Sequence, residues 1–228
     1  MARLIDRRWP GPRAAVSVRT RYLDDAIRRQ CADGLDQLVI LGAGFDTRAP
    51  TGCRACGACA SSRSTTRRRR PGSARPWAAG AGVTYVPVDF LRTRVEDALA
   101  AAGCAPGRST LFLWEGVTSY LDAAAVDATL RTIARLGRRL LYHVCGPRAT
   151  RRHGRARGRR AIARARARAG RALYASGLAP AELGRYLDER GLDLLEDLSL
   201  AEAAGLYYGA RRPPVSAYYH VVRARCRA

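Results

Sequence analysis

Glycines 42 and 44 are the first residues whose type and spacing could do chemistry. They follow the apolar run QLVIL at 37–41 and enclose Ala43, in the stretch LGAGFDTR. Glycine adopts positive φ and lets the main chain approach a ligand closely. Because ligands bind beyond the carboxyl ends of strands in open parallel sheets, Gly42, Ala43 and Gly44 are candidate cofactor-binding residues. The alternative is a tight structural turn, since the spacing is not a full G-x-G-x-x-G motif.

Two acidic residues also follow apolar runs. Asp89 follows VTYVPV and precedes Phe90, and Glu115 follows LFLW. An acid at Asp89 can accept a hydrogen bond from an adenine amino group, and Phe90 can cover the ring; alternatively, Asp89 caps the next helix. A buried carboxylate at Glu115 needs a partner, so it could bind a cationic amine or hold an arginine. Asp46 and Arg48 could equally form a local ion pair.

Three cysteines have the spacing of metal ligands, but a fourth ligand is missing. Cys53, Cys56 and Cys59 form a C-x2-C-x2-C run, which resembles part of a zinc or iron–sulfur site. No fourth ligand of suitable spacing follows, so we predict that no metal is bound. The chain has 7 cysteines, an odd number that does not suggest a disulfide framework.

The basic charge is concentrated in two segments. The chain has a formal net charge of +22. Seven arginines lie within 51–80 and eleven within 143–175, and neither range contains an acid, so these two ranges account for most of that charge. We call these ranges the first and second Arg-rich segments. Such charge favours nonspecific nucleic-acid binding, but the chain contains no lysine, which a GC-rich coding sequence explains equally well. A noncatalytic nucleic-acid-binding protein is therefore the alternative function.

The remaining pattern alternates strands with helices and predicts an α/β fold with a parallel, doubly wound sheet. We expect one domain over residues 1–228, with 50–80 and 143–175 irregular or disordered. No apolar run suits a signal peptide or a membrane span, so we expect a cytoplasmic protein. The predicted helices lie at 18–33, 91–103, 123–137, 180–191 and 200–208, and the strands at 37–44, 83–90, 109–116, 138–144, 191–198 and 215–224.

Four motifs in order, RTRYLDDAI, LVILGAGFDTRA, VTYVPVDF and LFLWEGVTSYL, resemble the S-adenosylmethionine-dependent methyltransferases related to leucine carboxyl methyltransferase. The similarity is greatest to the bacterial O-methyltransferase branch, and it extends through LAPAELGRYL and LLEDLSLAE. The resemblance implies a class I methyltransferase fold, which is Rossmann-like with a mostly parallel seven-stranded sheet. It also implies S-adenosyl-L-methionine as cofactor and methyl transfer to a carboxylate or hydroxyl oxygen of an unidentified acceptor.

The resemblance also implies roles for individual residues. Gly42, Ala43 and Gly44 would line the methionine and ribose part of the cofactor, and Arg19 would bind its carboxylate. Asp89 and Phe90 would contact the adenine, and Glu115 the amino-acid moiety. No catalytic base is assigned, because an ionised carboxylate acceptor needs none and the reaction depends on alignment. Tyr120 is a candidate positioning residue.

One departure from the family lies in the first Arg-rich segment. Family members carry a second strand there, followed by an acid that binds the ribose hydroxyls, whereas this chain has no acid between Asp46 and Asp89. Back-translation with a shifted reading frame restores a strand and an acidic motif, and a shift in the second segment restores further family-like pieces. We therefore hypothesise that both Arg-rich segments are frame-shifted translations and that cofactor affinity is weakened or lost.

Overall fold

The computed structural model describes most of the chain outside the two Arg-rich segments. Its described residues are 11–43, 46, 48, 58–62, 84–90, 93–104, 107–118, 121–145 and 180–227, with backbone alone at 12, 58–62, 85 and 145. Within these residues, no helix is both long enough and apolar enough to cross a membrane.

The first helix, α1, spans Pro12–Ala32 and begins six residues before the predicted start. Pro12 explains the early start, because proline is favoured in the first turn, where its missing N–H has no partner anyway. The helix ends as predicted at a glycine: Gly34 has φ +82°, and the Leu35 N–H donates to the Gln30 carbonyl at 3.2 Å. Val18 and Leu23 are fully buried on its inner face.

Strands and helices then alternate, which confirms the α/β prediction. The helix predicted at 200–208 has the predicted bounds, and the three helices between it and α1 are shorter than predicted at one or both ends. Asp122 caps α3 as expected, its carboxylate accepting from the Ala125 N–H at 2.8 Å. The remaining elements are β1 (Gln37–Leu41), β2 (Ala58–Ser62), β3 (Tyr85–Val88), α2 (Val95–Ala101), β4 (Thr110–Trp114), α3 (Ala123–Leu136), β5 (Arg139–Cys145), α4 (Pro180–Asp188), β6 (Leu192–Ser199), α5 (Leu200–Tyr208), a 3-10 turn (Gly209–Arg211) and β7 (Tyr219–Cys226).

The strands form one mixed sheet in the order β3-β2-β1-β4-β5-β7-β6. The neighbours from β3 to β5 pair in parallel, and β7 runs antiparallel to both β5 and β6. The chain leaves β1 toward β2 on one side and reaches β4 on the other. The strand order therefore reverses between β1 and β4, which is where open α/β sheets bind ligands.

Helices cover both faces of the sheet. Along β1, Val39 and Leu41 pack with α2, α3 and α4, whereas Leu38 and Ile40 pack with α1 and α5. Successive strand residues point to opposite faces, so a strand with both faces covered must be apolar throughout. This explains why QLVIL appears as a continuous apolar run and not as an alternating one.

The prediction that residues 50–80 are irregular is wrong for 58–62, which form β2. This strand pairs with β1 through Val39 and Ala58, and with β3 through Ser62 and Val88. Backbone hydrogen bonds to two neighbouring strands do not require an apolar side-chain pattern, so the sequence showed no strand there. Residues 143–145 belong to β5; the rest of the two Arg-rich segments lies outside the described residues.

Candidate cofactor site

The point where β1 and β4 end brings the predicted site residues together. Leu41 and Trp114 are register partners on these parallel strands. The next residue along each strand is a predicted site residue, Gly42 after β1 and Glu115 after β4. Residues 73 positions apart in sequence thus meet at the carboxyl edge of the sheet, at the place where its strand order reverses.

Gly42 is required by packing at this edge. Its φ is +69°, and a Cβ on it would lie 2.3 Å from Cγ2 of Val117. That distance is far inside van der Waals contact, so packing against Val117 is by itself sufficient to require glycine here. The structural-turn alternative and the cofactor-lining prediction for Gly42 are compatible with this packing. Ala43 packs partly buried against the α1 and α5 core, and Gly44 lies outside the described residues.

Arg19 and Glu115 form an ion pair. The Arg19 Nε on α1 donates to Glu115 Oε1 at 2.5 Å, with side chains 22% and 12% exposed. Of the two partners proposed for Glu115, an amine or an arginine, the structure shows the arginine. The resemblance assigned both residues to the same end of the cofactor, and the fold brings them into direct contact from 96 positions apart in sequence.

Arg48 extends this pair into a larger cluster. Its Nη1 lies 2.6 Å from Glu115 Oε2 and 2.6 Å from Asp46 Oδ2, and its Nε lies 2.6 Å from Asp24 Oδ1. The local Asp46–Arg48 pair predicted from the sequence is therefore present, with Glu115 and Asp24 as further partners. We name these five side chains, Arg19, Asp24, Asp46, Arg48 and Glu115, the edge cluster.

The edge cluster contains more carboxylates than guanidinium groups. Burial alone lowers the pKa of the Arg48 guanidinium, but the charge of Glu115 and hydrogen bonding to Asp24 outweigh it and raise the pKa. Arg48 is therefore permanently charged. Three carboxylates and two guanidinium groups give the cluster a formal charge of −1. A ligand with a net positive charge would neutralise it.

Asp89 and Phe90 lie away from the edge cluster. They follow β3, which is two strands from β1, a lateral separation of about 10 Å. The helix-cap alternative for Asp89 is wrong, because α2 begins at Val95 with Arg94 as its N-cap. Asp89 is half-buried, and the Phe90 ring is 9% exposed within the core that packs against α2. Tyr120 lies outside the described residues.

Sequence reasoning missed one member of the edge cluster, Asp24, and one group near it, His143. Asp24 belongs to the family-like motif RTRYLDDAI but was given no role. His143 on β5 is 7% exposed and stacks on Tyr219 with ring centroids 5.6 Å apart. Burial, with smaller contributions from the nearby charges of Arg19 and His220, lowers the pKa of His143 to about 3. A single histidine in the apolar run RLLYHVC was the available signal.

Cysteine chemistry is limited within the described residues. Cys31, Cys104 and Cys226 are free thiols there, and burial raises the pKa of Cys226 to about 12, which makes it a poor nucleophile. No group of metal-ligating side chains occurs within the part of the chain that the structure describes. Cys53 and Cys56 lie outside that part, and only the backbone of Cys59 is described, so the metal prediction stays a prediction.

Known proteins resemble the chain in both sequence and fold. A Frankia alni protein named as an S-adenosyl-L-methionine-dependent methyltransferase is 35% identical over 147 residues, which cover 57% of this chain and 46% of that protein. The chain thus spans about half the length of this relative. Among solved structures, a Thermobifida fusca protein assigned as a methyltransferase superposes with a TM-score of 0.61 at 14% identity, covering 100% of this chain and 87% of the other.

A second solved structure extends the comparison of folds. It is 1,6-didemethyltoxoflavin-N1-methyltransferase from Burkholderia thailandensis, determined with its substrate and S-adenosylhomocysteine bound, with a TM-score of 0.55 at 14% identity and coverage of 94% and 79%. These likenesses confirm the class I methyltransferase fold. The sequence model of the leucine carboxyl methyltransferase family matches residues 3–50 and 64–134, about half of the chain. The chain belongs to the leucine carboxyl methyltransferase family of S-adenosyl-L-methionine-dependent enzymes.

Proposed function

We propose that the chain is an S-adenosyl-L-methionine-dependent methyltransferase that holds the amino-acid end of its cofactor at the edge cluster. Family membership supports the reaction, and one observation supports the location. A cluster with a formal charge of −1 lies beyond β1 and β4, where the strand order reverses. S-adenosyl-L-methionine carries a sulfonium, an ammonium and a carboxylate, so its net charge of +1 complements the cluster.

The residues present fit the zwitterionic end of this cofactor. Arg19 can exchange Glu115 for a ligand carboxylate, and Glu115 can exchange Arg19 for a ligand ammonium. Each exchange replaces one ion pair with another, so neither charge is left buried and unpaired, which would be costly. Arg48, held by Asp24 and Asp46, keeps one Glu115 oxygen in place at 2.6 Å during the exchange.

We propose a small molecule with a carboxylate or hydroxyl as methyl acceptor. When bound, the cofactor supplies an electrophilic methyl group on its sulfonium. The task of the protein is then to bind, align and exclude water, because an ionised carboxylate needs no base to attack in line. No residue is assigned as a base, and Tyr120 is kept as a proposed positioning residue. Asp89 and Phe90 are proposed to contact the adenine, with Gly42, Ala43 and Gly44 lining the methionine and ribose.

The affinity for the cofactor is expected to be weak in this chain. The ribose acid of the family is missing, and each lost charge-assisted hydrogen bond costs roughly 1.5 to 3 kcal/mol, or about ten- to a hundredfold in affinity. The backbone of β2 nevertheless occupies the second-strand position, and its last residue, Ser62, pairs with Val88 immediately before Asp89. An acid introduced at Ser62 would stand at the carboxyl end of this strand.

Cofactor titration by calorimetry tests the proposal. We expect Ser62→Glu to bind S-adenosyl-L-methionine at least about tenfold more tightly than the natural chain. In that background, Arg19→Gln should weaken binding again by about tenfold or more, whereas Arg28→Gln, which removes an exposed charge from the same helix, should change it less than about twofold. Equal affinity in the Arg19 and Arg28 variants would contradict the proposed site. Micromolar affinity of the unsubstituted chain for S-adenosyl-L-methionine would contradict the predicted weak binding.

We also propose that residues 1–228 form one domain and that both Arg-rich segments arise from shifted reading frames. The first idea is supported by the single sheet that joins β1 to β7. For the first segment the second idea is supported by the family match, which is interrupted between residues 50 and 64, and for the second segment it is supported by the sequence alone. Resequencing the coding DNA tests it, because continuous reading frames through both segments would contradict the hypothesis. Nucleic-acid binding stays a prediction from the sequence, since all the arginines of the two Arg-rich segments lie outside the described residues.

A further inference from the structure

A second charged feature lies at the opposite edge of the sheet. A cleft of about 710 Å³ opens where β4 and β5 begin and where α3 and β7 end, and six arginines line it: Arg108, Arg131, Arg135, Arg138, Arg190 and Arg227. We name it the amino-edge cleft. Its volume falls within the range of about 300 to 1,000 Å³ that is usual for small-molecule sites.

Four of these arginines are paired with carboxylates around the rim. Arg131 and Arg190 share Asp127, at 2.9 and 2.6 Å, and Arg135 lies 2.7 Å from Glu96. Their partners hold their charges in place and partly neutralise them. The remaining rim pairs join Arg190 to Glu189, and Arg227 to Asp188 and Asp193.

The other two arginines have no such partner. Within the described residues, no carboxylate forms a salt bridge with Arg108 or Arg138, and both side chains are exposed. They are close in the fold, because the main-chain N–H of Arg138 donates to the Thr110 carbonyl at 2.9 Å. Two arginines without a carboxylate partner among the described residues therefore line the same cleft.

Arg190 forms part of the cleft wall and is held firmly in place. Arg190 is held on both terminal nitrogens, by Asp127 and by the Tyr186 carbonyl, and its guanidinium stacks 3.5 Å from the centre of the Tyr186 ring. Its Nε is buried and has no hydrogen-bond partner among the described residues. The Arg190 side chain is therefore a fixed part of the cleft wall, and we assign no ligand contact to its buried Nε.

We propose that the amino-edge cleft binds a small molecule bearing a di- or triphosphate group, with Arg108 and Arg138 as its main contacts. Guanidinium groups bind phosphate oxygens through paired hydrogen bonds, and the cleft is larger than one phosphate requires. The site is separate from the edge cluster, because it lies at the amino ends of β4 and β5. Its ligand is therefore distinct from the methyl donor.

Calorimetric titration with inorganic pyrophosphate and with ADP, in about 150 mM salt, tests the proposal. We expect saturable binding that weakens about tenfold in Arg138→Gln and in Arg108→Gln. The control is Arg28→Gln, which removes an exposed positive charge from α1, at an arginine paired with Asp25, and should change affinity less than about twofold. Tighter binding of ADP than of pyrophosphate would identify a nucleotide as the ligand, and equal affinity a phosphate group alone.

Two results would overturn the site. One is the absence of saturable binding by either ligand, and the other is an equal loss in the cleft variants and in Arg28→Gln, which would assign the binding to general positive charge. Far-ultraviolet circular dichroism and urea unfolding show whether each variant folds. The cleft substitutions should leave the affinity for S-adenosyl-L-methionine, measured in the Ser62→Glu background, unchanged. A failure of the phosphate-site proposal is therefore distinguishable from a failure of the proposed methyltransferase function.

Discussion

The two edges of the sheet both collect arginines, but they use them differently. At the carboxyl edge, Arg19 and Arg48 are largely buried and bound to three carboxylates. At the amino edge, Arg108 and Arg138 are exposed and have no ion-pair partner within the described residues. The same residue type is therefore one half of a fixed ion pair at one edge, and an exposed charge without a carboxylate partner among the described residues at the other.

The difference teaches that arginine content alone does not identify a binding site. The carboxylates beside each guanidinium decide whether the local surface attracts cations or anions. The edge cluster carries a formal charge of −1 although the chain carries +22. Net charge predicted nucleic-acid binding for the molecule as a whole, whereas the local arrangement leads us to propose a cationic ligand at one edge and an anionic one at the other.

The largest effect is expected from adding a methyl group at the packed carboxyl edge. In Gly42→Ala the new Cβ would meet Val117 at 2.3 Å and would also occupy a left-handed conformation. We expect a loss of about 3 kcal/mol or more in the free energy of unfolding. Gly107→Ala is the control, because Gly107 in the amino-edge cleft has φ +84° but nothing within 4 Å, and it should cost only about 1 to 2 kcal/mol.

Urea unfolding of both variants measures this difference between the edges. The double variant Gly42→Ala/Val117→Ala removes the obstructing side chain and should cost less than the sum of its two single changes. If Gly42→Ala costs no more than Gly107→Ala, Val117 does not restrict the turn, and close approach of a ligand becomes the better explanation for Gly42.

A smaller loss of stability is expected from neutralising Glu115, the carboxylate that Arg19 and Arg48 share. Glu115→Gln keeps the side-chain shape but leaves Arg19 and one nitrogen of Arg48 beside a neutral amide. We expect a loss of about 2 kcal/mol in the free energy of unfolding, less than for a fully buried pair because the side chains retain some exposure. Arg138→Gln at the amino edge should change it by less than about 0.5 kcal/mol.

Denaturant unfolding tests this contrast, with Glu182→Gln as the control for loss of an exposed carboxylate. A similar small effect for Glu115→Gln and Glu182→Gln would show that the ion pairs of the edge cluster contribute no net stability. An equal loss for Glu115→Gln and Arg138→Gln would remove the difference between the two edges.

The smallest expected effect is a pH dependence of the free energy of unfolding, caused by His143 near the carboxyl edge of the sheet. The pKa of His143 is lowered to about 3 in the folded chain, against about 6.5 when unfolded. Between these values the unfolded state binds the extra proton, so stability falls as the pH falls below about 6.5. From pH 6.5 to 5.5 we expect a loss of about 1 kcal/mol, which His143→Phe should remove.

His220 provides a contrast of opposite sign on the neighbouring strand. Its Nδ1 lies 2.7 Å from Asp197, and that hydrogen bond raises the pKa of His220. Its contribution is present below the ordinary histidine pKa and is lost as the pH rises through the folded value. Urea unfolding at pH 5.5, 6.5 and 8 separates the two histidines. An unchanged acid slope in His143→Phe would assign the acid sensitivity to other groups.

Part of the fold and of the site could be predicted from local patterns. The apolar run before Gly42, the left-handed glycine after α1 and the cap at Asp122 each depend on a few adjacent residues. The family motifs added Arg19 and Glu115 to one site. Asp24 and His143 could not be assigned, because a helical acid and a strand histidine have many uses until their neighbours are known.

The sequence by itself determined the α/β alternation, the family and the positions of most strands and helices, because apolar periodicity and turn residues act over short stretches of chain. Only the tertiary structure decided that Arg19 bonds to Glu115 across 96 positions, that residues 58–62 join the sheet, and that Arg108 and Arg138 border one cleft. These outcomes depend on which strands lie side by side. Strand pairing is set by packing and hydrogen bonding over the whole sheet, and no local pattern encodes it.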